Sequence, residues 1–414
     1  MNVLAVSYCF PPFSFPRSIQ VARLLKHLPH RTVLVCAEDP FASVDRTIEP
    51  DAEASLVECV RVRNPIPAWR RMVAMASRRY RVPLLQALDP HGPWMGAALA
   101  AVHDYLRGTQ QAPDILLTFA QPWIVHRLGL RLKRCLDIPW IAHFSDPWTD
   151  NPYAKSTGLA GTLARRAEAE TVNNAECLIF TSDETVELVM KKYPSRLRQK
   201  AVVVPHCFSP AFDDDPKLSA PASAKVIRSI GNFYGIRTPR PLMDALGILA
   251  KESPALVDGW TFENVGSLSP AIKSECGAAL SGSGLLRFRD PVSYRESLEL
   301  MASSAGMILI DAASGCSVFL PSKLVEYIGA RRPIFGITPE GTARRLIREL
   351  GGTTASPADP AAVSKALGEF LQSLPGNGSR GDSAFRDRFS VDRITAEVDA
   401  LMAKLTNQPQ QQGA

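Results

Sequence analysis

No Cys-x-x-Cys pair occurs in this chain, although it holds eight cysteines. They are scattered (Cys9, Cys36, Cys59, Cys135, Cys177, Cys207, Cys276 and Cys316). That pattern argues against a zinc site and favours reduced thiols in a cytosolic protein. Histidines and carboxylates form no cluster with metal-ligand spacing, so no metal is expected. Neither a Walker A motif nor Gly-x-Gly-x-x-Gly stands at a strand-to-helix junction, which disfavours ATP or NAD chemistry. The longest apolar runs have the length of strands, so no membrane-spanning helix is expected. The opening MNVLAVSY lacks a basic region and reads as a first strand, not a signal peptide.

What is present is an ordinary globular composition, 46% hydrophobic and 21% charged over 414 residues. That length allows two or three domains with sizeable cores. The net charge of +6 is uneven: residues 1–205 hold 25 basic and 19 acidic side chains, and residues 206–414 hold 22 of each. The excess suggests that the first half meets an anionic partner or surface. Residues 61–81 contain seven arginines and no acid. Within them Trp69, Met72, Val73, Ala76 and Tyr80 form an apolar stripe at helical spacing. The helix 69–80 reads either as a contact with an anionic membrane surface or as a surface helix packed on its own domain. No known reader motif accompanies the arginines, so nucleic acid is not expected as a partner.

The most informative stretch is GMILIDAASGCSVFLPSKLVEYIGARRPIFGITP, residues 306–339. It reads as strand, loop, helix, strand. Met307 to Ile310 suits a strand buried on both faces. Pro321 opens a helix, with Leu324, Val325, Ile328 and Gly329 at helical spacing. Arg331 and Arg332 close the helix, and Pro333 stops it. A helix N-terminus after the carboxyl end of a strand is an anion site. Lys323 in its first turn opposes the helix dipole, a penalty that a bound anion would offset. Glu326 lies one turn further on, placed for two neighbouring sugar hydroxyls. Phosphate, lysine and carboxylate in this order describe a nucleoside diphosphate with its ribose.

PSKLVEYIGARRPIFGI resembles the donor-binding segment of family 4 glycosyltransferases, which have the GT-B fold. The resemblance implies that Glu326 holds the ribose hydroxyls. It places Lys323 and the loop amides around Ser317, Phe319, Leu320 and Ser322 near the diphosphate. The family pattern is often Glu-x7-Glu, and Val318 stands at its first position here. That glutamate usually touches the donor sugar.

The first half alternates strands and helices from Val3 to Pro205. CFPPFSFPRSIQVARLL resembles the opening of the same group, which often carries HYPP and a glycine-rich turn. Ser14-Phe15-Pro16-Arg17 replaces those glycines. By the resemblance the 11–17 loop, with Phe13 and Arg17, faces the acceptor. Arg17 alone reads as a ligand contact or as a solvated arginine. HFSDPWTD resembles the family's DFRDPW segment: Asp146, Pro147 and Trp148 match, and His143 and Ser145 differ. Asp146 is the candidate to orient the acceptor hydroxyl or take its proton, against a capping or loop role. His143 is the second catalytic candidate, against a satisfied core histidine. VVVPHCF resembles the family's VIPNGFD, after which the chain crosses to a second domain.

The second half restarts the alternation at Val226. GNFYGIRTPRP is close to the GNFYG-x-R-x-P segment of one branch of the family. Gly231, Asn232 and Gly235 permit close approach to a diphosphate, and Arg237 adds charge. The fold expected is α/β, two doubly wound Rossmann-like domains facing across a cleft, of GT-B type. The domains are expected at 1–205 and 226–390, joined by a linker over 206–225. A terminal helix over 391–405 is expected to pack back on the first domain, ahead of a disordered tail over 406–414.

The resemblance spans the chain to about Asp359. It implies a retaining glycosyltransferase, without a metal cofactor, that takes a nucleotide sugar as co-substrate and a glycan or lipid-linked glycan as acceptor. Surface-polysaccharide synthesis, in the cytoplasm or peripheral at the inner membrane face, is the expected setting. Two other readings remain open at this point: a nucleotide-sugar 2-epimerase, and a non-catalytic GT-B-like partner subunit.

Overall fold

The structure is a computed structural model that describes residues 1–38, 43–65, 72, 91–153, 157–218, 225–280, 285–374 and 383–407. The basic helix expected over 69–80 lies outside them except for Met72, as does most of the tail. The chain divides into two units: Met1–Pro205 with the segment from Ile394 on, and His206–Arg393.

The first unit is built on a seven-stranded sheet. Its strands are β1 (Asn2–Ser7), β2 (Arg31–Glu38), β3 (Glu58–Arg63), β4 (Ile115–Ala120), β5 (Trp140–Phe144), β6 (Cys177–Phe180) and β7 (Ala201–Val203). Their order is β3-β2-β1-β4-β5-β6-β7, and every pair is parallel. β4, β5 and β6 (ILLTFA, WIAHF, CLIF) are buried at every position. Near-continuous apolar runs are what a parallel sheet covered on both faces requires. The helix Pro16–His27 starts on a proline and buries Val21, Ala22, Leu24 and Leu25. The helix Ile124–Leu136 lies directly on the sheet, because a Cβ on Gly129 would come within 2.8 Å of Thr118 and Trp140. The terminal helix Val391–Thr406 supplies this unit with Asp399, whose Oδ1 lies 2.8 Å from His30 Nε2. Strand order reverses between β1 and β4, so the crevice outside their carboxyl ends is this unit's switch point.

The second unit repeats the plan. Its strands are β8 (Val226–Ile230), β9 (Thr261–Val265), β10 (Leu286–Arg289), β11 (Gly306–Ile310), β12 (Cys316–Ser317), β13 (Ile334–Ile337), β14 (Glu340–Gly341) and β15 (Thr353–Ala355). The main sheet is parallel in the order β10-β9-β8-β11-β13-β15, and β12 pairs with β14 in a small ladder. The switch point lies between β8 and β11. β15 follows the Gly351-Gly352 break and was not expected. At three residues it is too short to show a strand pattern.

Part of the stretch read as linker is core of the second unit. Phe208, Phe212 and Leu218 are buried in one cluster with Leu324, Val325 and Ile328. The acid triplet at 213–215 hid these anchors. Asp213 pairs with Arg331 at 3.0 Å and with Arg386 at 2.9 Å, and Asp215 pairs with Arg295. The helix Ser322–Gly329 reaches this segment so closely that a Cβ on Gly329 would lie 2.5 Å from Phe208 Cβ. Gly329→Ala should therefore destabilise the fold by about 1–3 kcal/mol. The urea midpoint should fall at an unchanged m-value.

Candidate functional site

At the carboxyl end of β8, Gly231 adopts φ +136°, a conformation suited to glycine. The loop after β9 touches it backbone to backbone: a Cβ on Gly266 would lie 2.3 Å from the Gly231 carbonyl oxygen. Asn232 Oδ1 accepts from the Ser267 N–H at 2.8 Å, tying the two loops together. The glycine-rich loop is thus braced rather than loose.

Arg237 enters from the same loop and donates to Asp311 Oδ1 at 3.1 Å. Asp311, the residue after β11, also accepts from the Ala312 N–H and from Ser317 Oγ, both at 2.8 Å. It orients both Arg237 and Ser317. Sequence reading did not single it out. The available signal was an acid directly at the end of the strand GMILI.

Lys323 completes the group. It sits in the first turn of the helix Ser322–Gly329, which no side chain caps. Its Cδ and Nζ would lie 3.7 and 3.8 Å from a Cβ on Gly231, so its side chain runs along the Gly231 backbone. Burial first, and then Arg237, push its ammonium down to about 7, with Asp311 opposing. Lys323 makes no hydrogen bond and no ion pair among the described residues. A desolvated lysine beside an arginine, with one shared carboxylate nearby, is a site short of negative charge. The uncapped helix N-terminus adds N–H donors to it.

Glu326 lies one turn further along and is buried. Its Oε2 accepts from the Ser209 N–H and its Oε1 from the Tyr294 hydroxyl, both at 2.9 Å. Of the other expected residues, Phe319 and Ser322 are half-buried, whereas Leu320 points into the core. The Leu320 side chain is therefore core and lines no site. Val318 is buried as well, and its carbonyl accepts from Thr342 Oγ1 at 3.0 Å. Tyr327 OH binds both the N–H and the carbonyl of Ile230, at 2.8 and 3.2 Å. It does so beyond the last paired residues of β8 and β11, so the phenol supplies what a strand neighbour would.

The first unit has its own cluster at its switch point. Arg17 is buried rather than solvated. Its Nη2 donates to the carbonyl of Ala120, donates to that of His143 at 3.2 Å, and faces His143 Nδ1 at 3.2 Å. Its Nε is buried with no hydrogen-bond partner among the described residues. Burial lowers its pKa to about 10, with Asp146 opposing, so it stays a cation. Asp146 Oδ2 accepts from Gln121 Nε2 at 2.9 Å and from Ser145 Oγ at 3.1 Å. Burial raises its pKa above the usual carboxylate range, and Arg17 opposes. Gln121 and Ser145 were not expected. Phe13 is buried and bridges to Val44. The structure thus brings Arg17, His143 and Asp146 together, with Phe13 on the neighbouring loop.

Residues 17–207 match the family described as the glycosyl transferase 4-like domain. The matched residues include Arg17, His143 and Asp146, while the Lys323 site lies beyond them. Two curated relatives are D-inositol 3-phosphate glycosyltransferases. One, from Corynebacterium jeikeium, is 25% identical over 32% of this chain and 34% of its own length. The other, from Corynebacterium urealyticum, is 24% identical over 60% of this chain and 61% of its own length. The chain therefore spans less than two thirds of either relative. Among solved structures, Anabaena HepE in complex with UDP and glucose is similar at a TM-score of 0.65 and 13% identity, covering 98% of this chain and 100% of that one. A trehalose-6-phosphate protein from E. coli bound with UDP-2-fluoro glucose is similar at 0.68 and 14%, covering 99% and 100%. These likenesses establish the fold as two Rossmann-like domains of GT-B type alongside the glycosyl transferase 4-like match.

Lys323→Met should stabilise the ligand-free protein by about 1 kcal/mol at neutral pH, since it removes a desolvated charge. The ammonium titrates near 7 when folded and at about 10.4 when unfolded. Its penalty is full below pH 7 and fades as pH rises toward 10. The gain in melting temperature from the substitution should accordingly be larger at pH 7 than at pH 9.5.

Proposed function

We propose that this chain is a glycosyltransferase that moves a sugar from a nucleoside-diphosphate donor to a glycan or lipid-linked glycan. The observation that carries the proposal is Lys323, which lies beside Arg237 at the second switch point and makes no ion pair among the described residues. A diphosphate supplies the missing negative charge. Lys323, Arg237 and the amides of the 316–319 loop then neutralise charge as the leaving diphosphate departs, which is the largest kind of contribution such a site makes. Glu326 accepts from the ribose hydroxyls. Asp146, whose proton affinity is raised by burial, orients the acceptor hydroxyl or receives its proton.

The glycosyl transferase 4-like match and the named activity of the curated relatives support transfer chemistry. The UDP and glucose in the HepE complex support a nucleotide sugar as partner. Retention of configuration, independence of a metal and a role in surface-polysaccharide synthesis follow from the sequence resemblance. Peripheral attachment at the inner membrane face follows from the basic stretch 69–80 and the positive first half.

Calorimetric titration with UDP and with GDP tests the donor site. One of them should bind with micromolar affinity, and Glu326→Ala should weaken it about tenfold or more. A well-folded protein that binds neither overturns the transferase reading and leaves a non-catalytic role. Turnover of a nucleotide sugar without acceptor would instead indicate an epimerase. Asp146→Asn should lower kcat by about a hundredfold and leave donor affinity unchanged.

A further inference from the structure

The carboxylate of Glu326 is held from two directions by parts of the chain far apart in sequence. Tyr294 OH donates to Oε1 at 2.9 Å, and the Ser209 N–H donates to Oε2 at 2.9 Å. Neither donor is a loose surface group. Tyr294 is the first residue of the helix Tyr294–Ser303, which Ser293 caps by accepting from the Glu296 N–H, and its ring packs on the core. Ser209 is buried between Phe208 and Phe212, both core residues, and the Phe208 N–H donates to the Phe389 carbonyl at 3.0 Å.

The two bonds fall one on each oxygen. Together they set both the rotation and the plane of the carboxylate. Both oxygens are therefore held before any ligand arrives. The Ser209 bond comes from the backbone and is not open to side-chain change. The Tyr294 bond is, because its donor is a side-chain hydroxyl.

We propose that Tyr294 is a positioning residue for nucleotide recognition: by orienting Glu326 it makes the donor site discriminate ribose from 2′-deoxyribose. This rests on the donor-site reading of Glu326 given above. A carboxylate of fixed plane rewards a vicinal diol and penalises a sugar lacking one hydroxyl, because a buried acceptor then loses its partner. A carboxylate that lacks the Tyr294 bond is held less fully, turns toward the remaining hydroxyl and discriminates less.

The test compares UDP and GDP with their 2′-deoxy counterparts by calorimetry on the full chain. The wild type should prefer the ribonucleotide by about tenfold or more. Tyr294→Phe keeps the ring that packs on the core and removes the hydroxyl. It should reduce the preference to about threefold or less, chiefly by weakening the ribonucleotide. The ratio of the two affinities is insensitive to a partly unfolded sample, which lowers both alike. Lys323→Met serves as the control, weakening both nucleotides by the same factor and leaving the ratio at its wild-type value. A Tyr294→Phe protein that keeps the wild-type ratio overturns the inference while the donor site stands. A wild type that binds diphosphates without preferring ribose also overturns it. A wild type that binds neither nucleotide overturns the donor-site reading, and the inference with it.

Discussion

A lysine ammonium pressed against glycine backbone, with an arginine as neighbour, is the interaction on which the second unit's switch point depends. Folding brings the half-buried Lys323 side chain against Gly231 with no ion pair among the described residues, and its pKa falls to about 7. Such an arrangement persists only because surrounding elements over-determine it. The helix bearing Lys323 is fixed by its buried face, Leu324, Val325, Tyr327 and Ile328. Arg237 is fixed by Asp311, and Asp311 by Ser317 and the Ala312 N–H. The strain in the charge distribution is thus local, and the fold around it is ordinary.

The two switch points use similar parts to opposite ends. Each places an arginine near an aspartate just outside the carboxyl ends of a parallel sheet: Arg17 with Asp146 in the first unit, Arg237 with Asp311 in the second. In the first, the guanidinium is spent on the carbonyls of Ala120 and His143, and Asp146 keeps a raised proton affinity. In the second, the aspartate is spent on Arg237, Ser317 and a backbone N–H, and the unmatched group is a cation. One site is left with affinity for a proton and the other with affinity for an anion.

Much of this was legible in the sequence, for a physical reason. Strands covered on both faces must be apolar throughout, so ILLTFA, WIAHF and GMILI declared themselves, and the helix after Pro321 followed from its stop signals and periodicity. Lys323 stood out because a cation in a first helical turn has no structural reward. What was hidden depended on contacts between distant residues. Asp311, Tyr294 and Gln121 matter through partners 74, 32 and 25 positions away, which no local pattern reveals. The 206–218 segment was hidden differently: its acids pair with Arg331, Arg386 and Arg295, so composition read as solvated linker what is buried core. Tyr327 was not among the helix positions the sequence singled out, and its hydroxyl's bonds to Ile230 were hidden as well.

That segment explains why Glu326 can be both buried and precise. A glutamate on a helix has three rotatable bonds, and ordering them on ligand binding costs free energy. Here the ordering is done during folding. Phe208 and Phe212 bury the segment, Gly329 lets the helix approach it, and Arg386 clamps it by binding Asp213 and the Gly329 carbonyl at once. The Ser209 N–H then arrives at Glu326 with no freedom left to lose. Stability in this region and orientation at the carboxylate come from the same contacts, so packing two turns away from Lys323 sets the geometry of the Glu326 carboxylate.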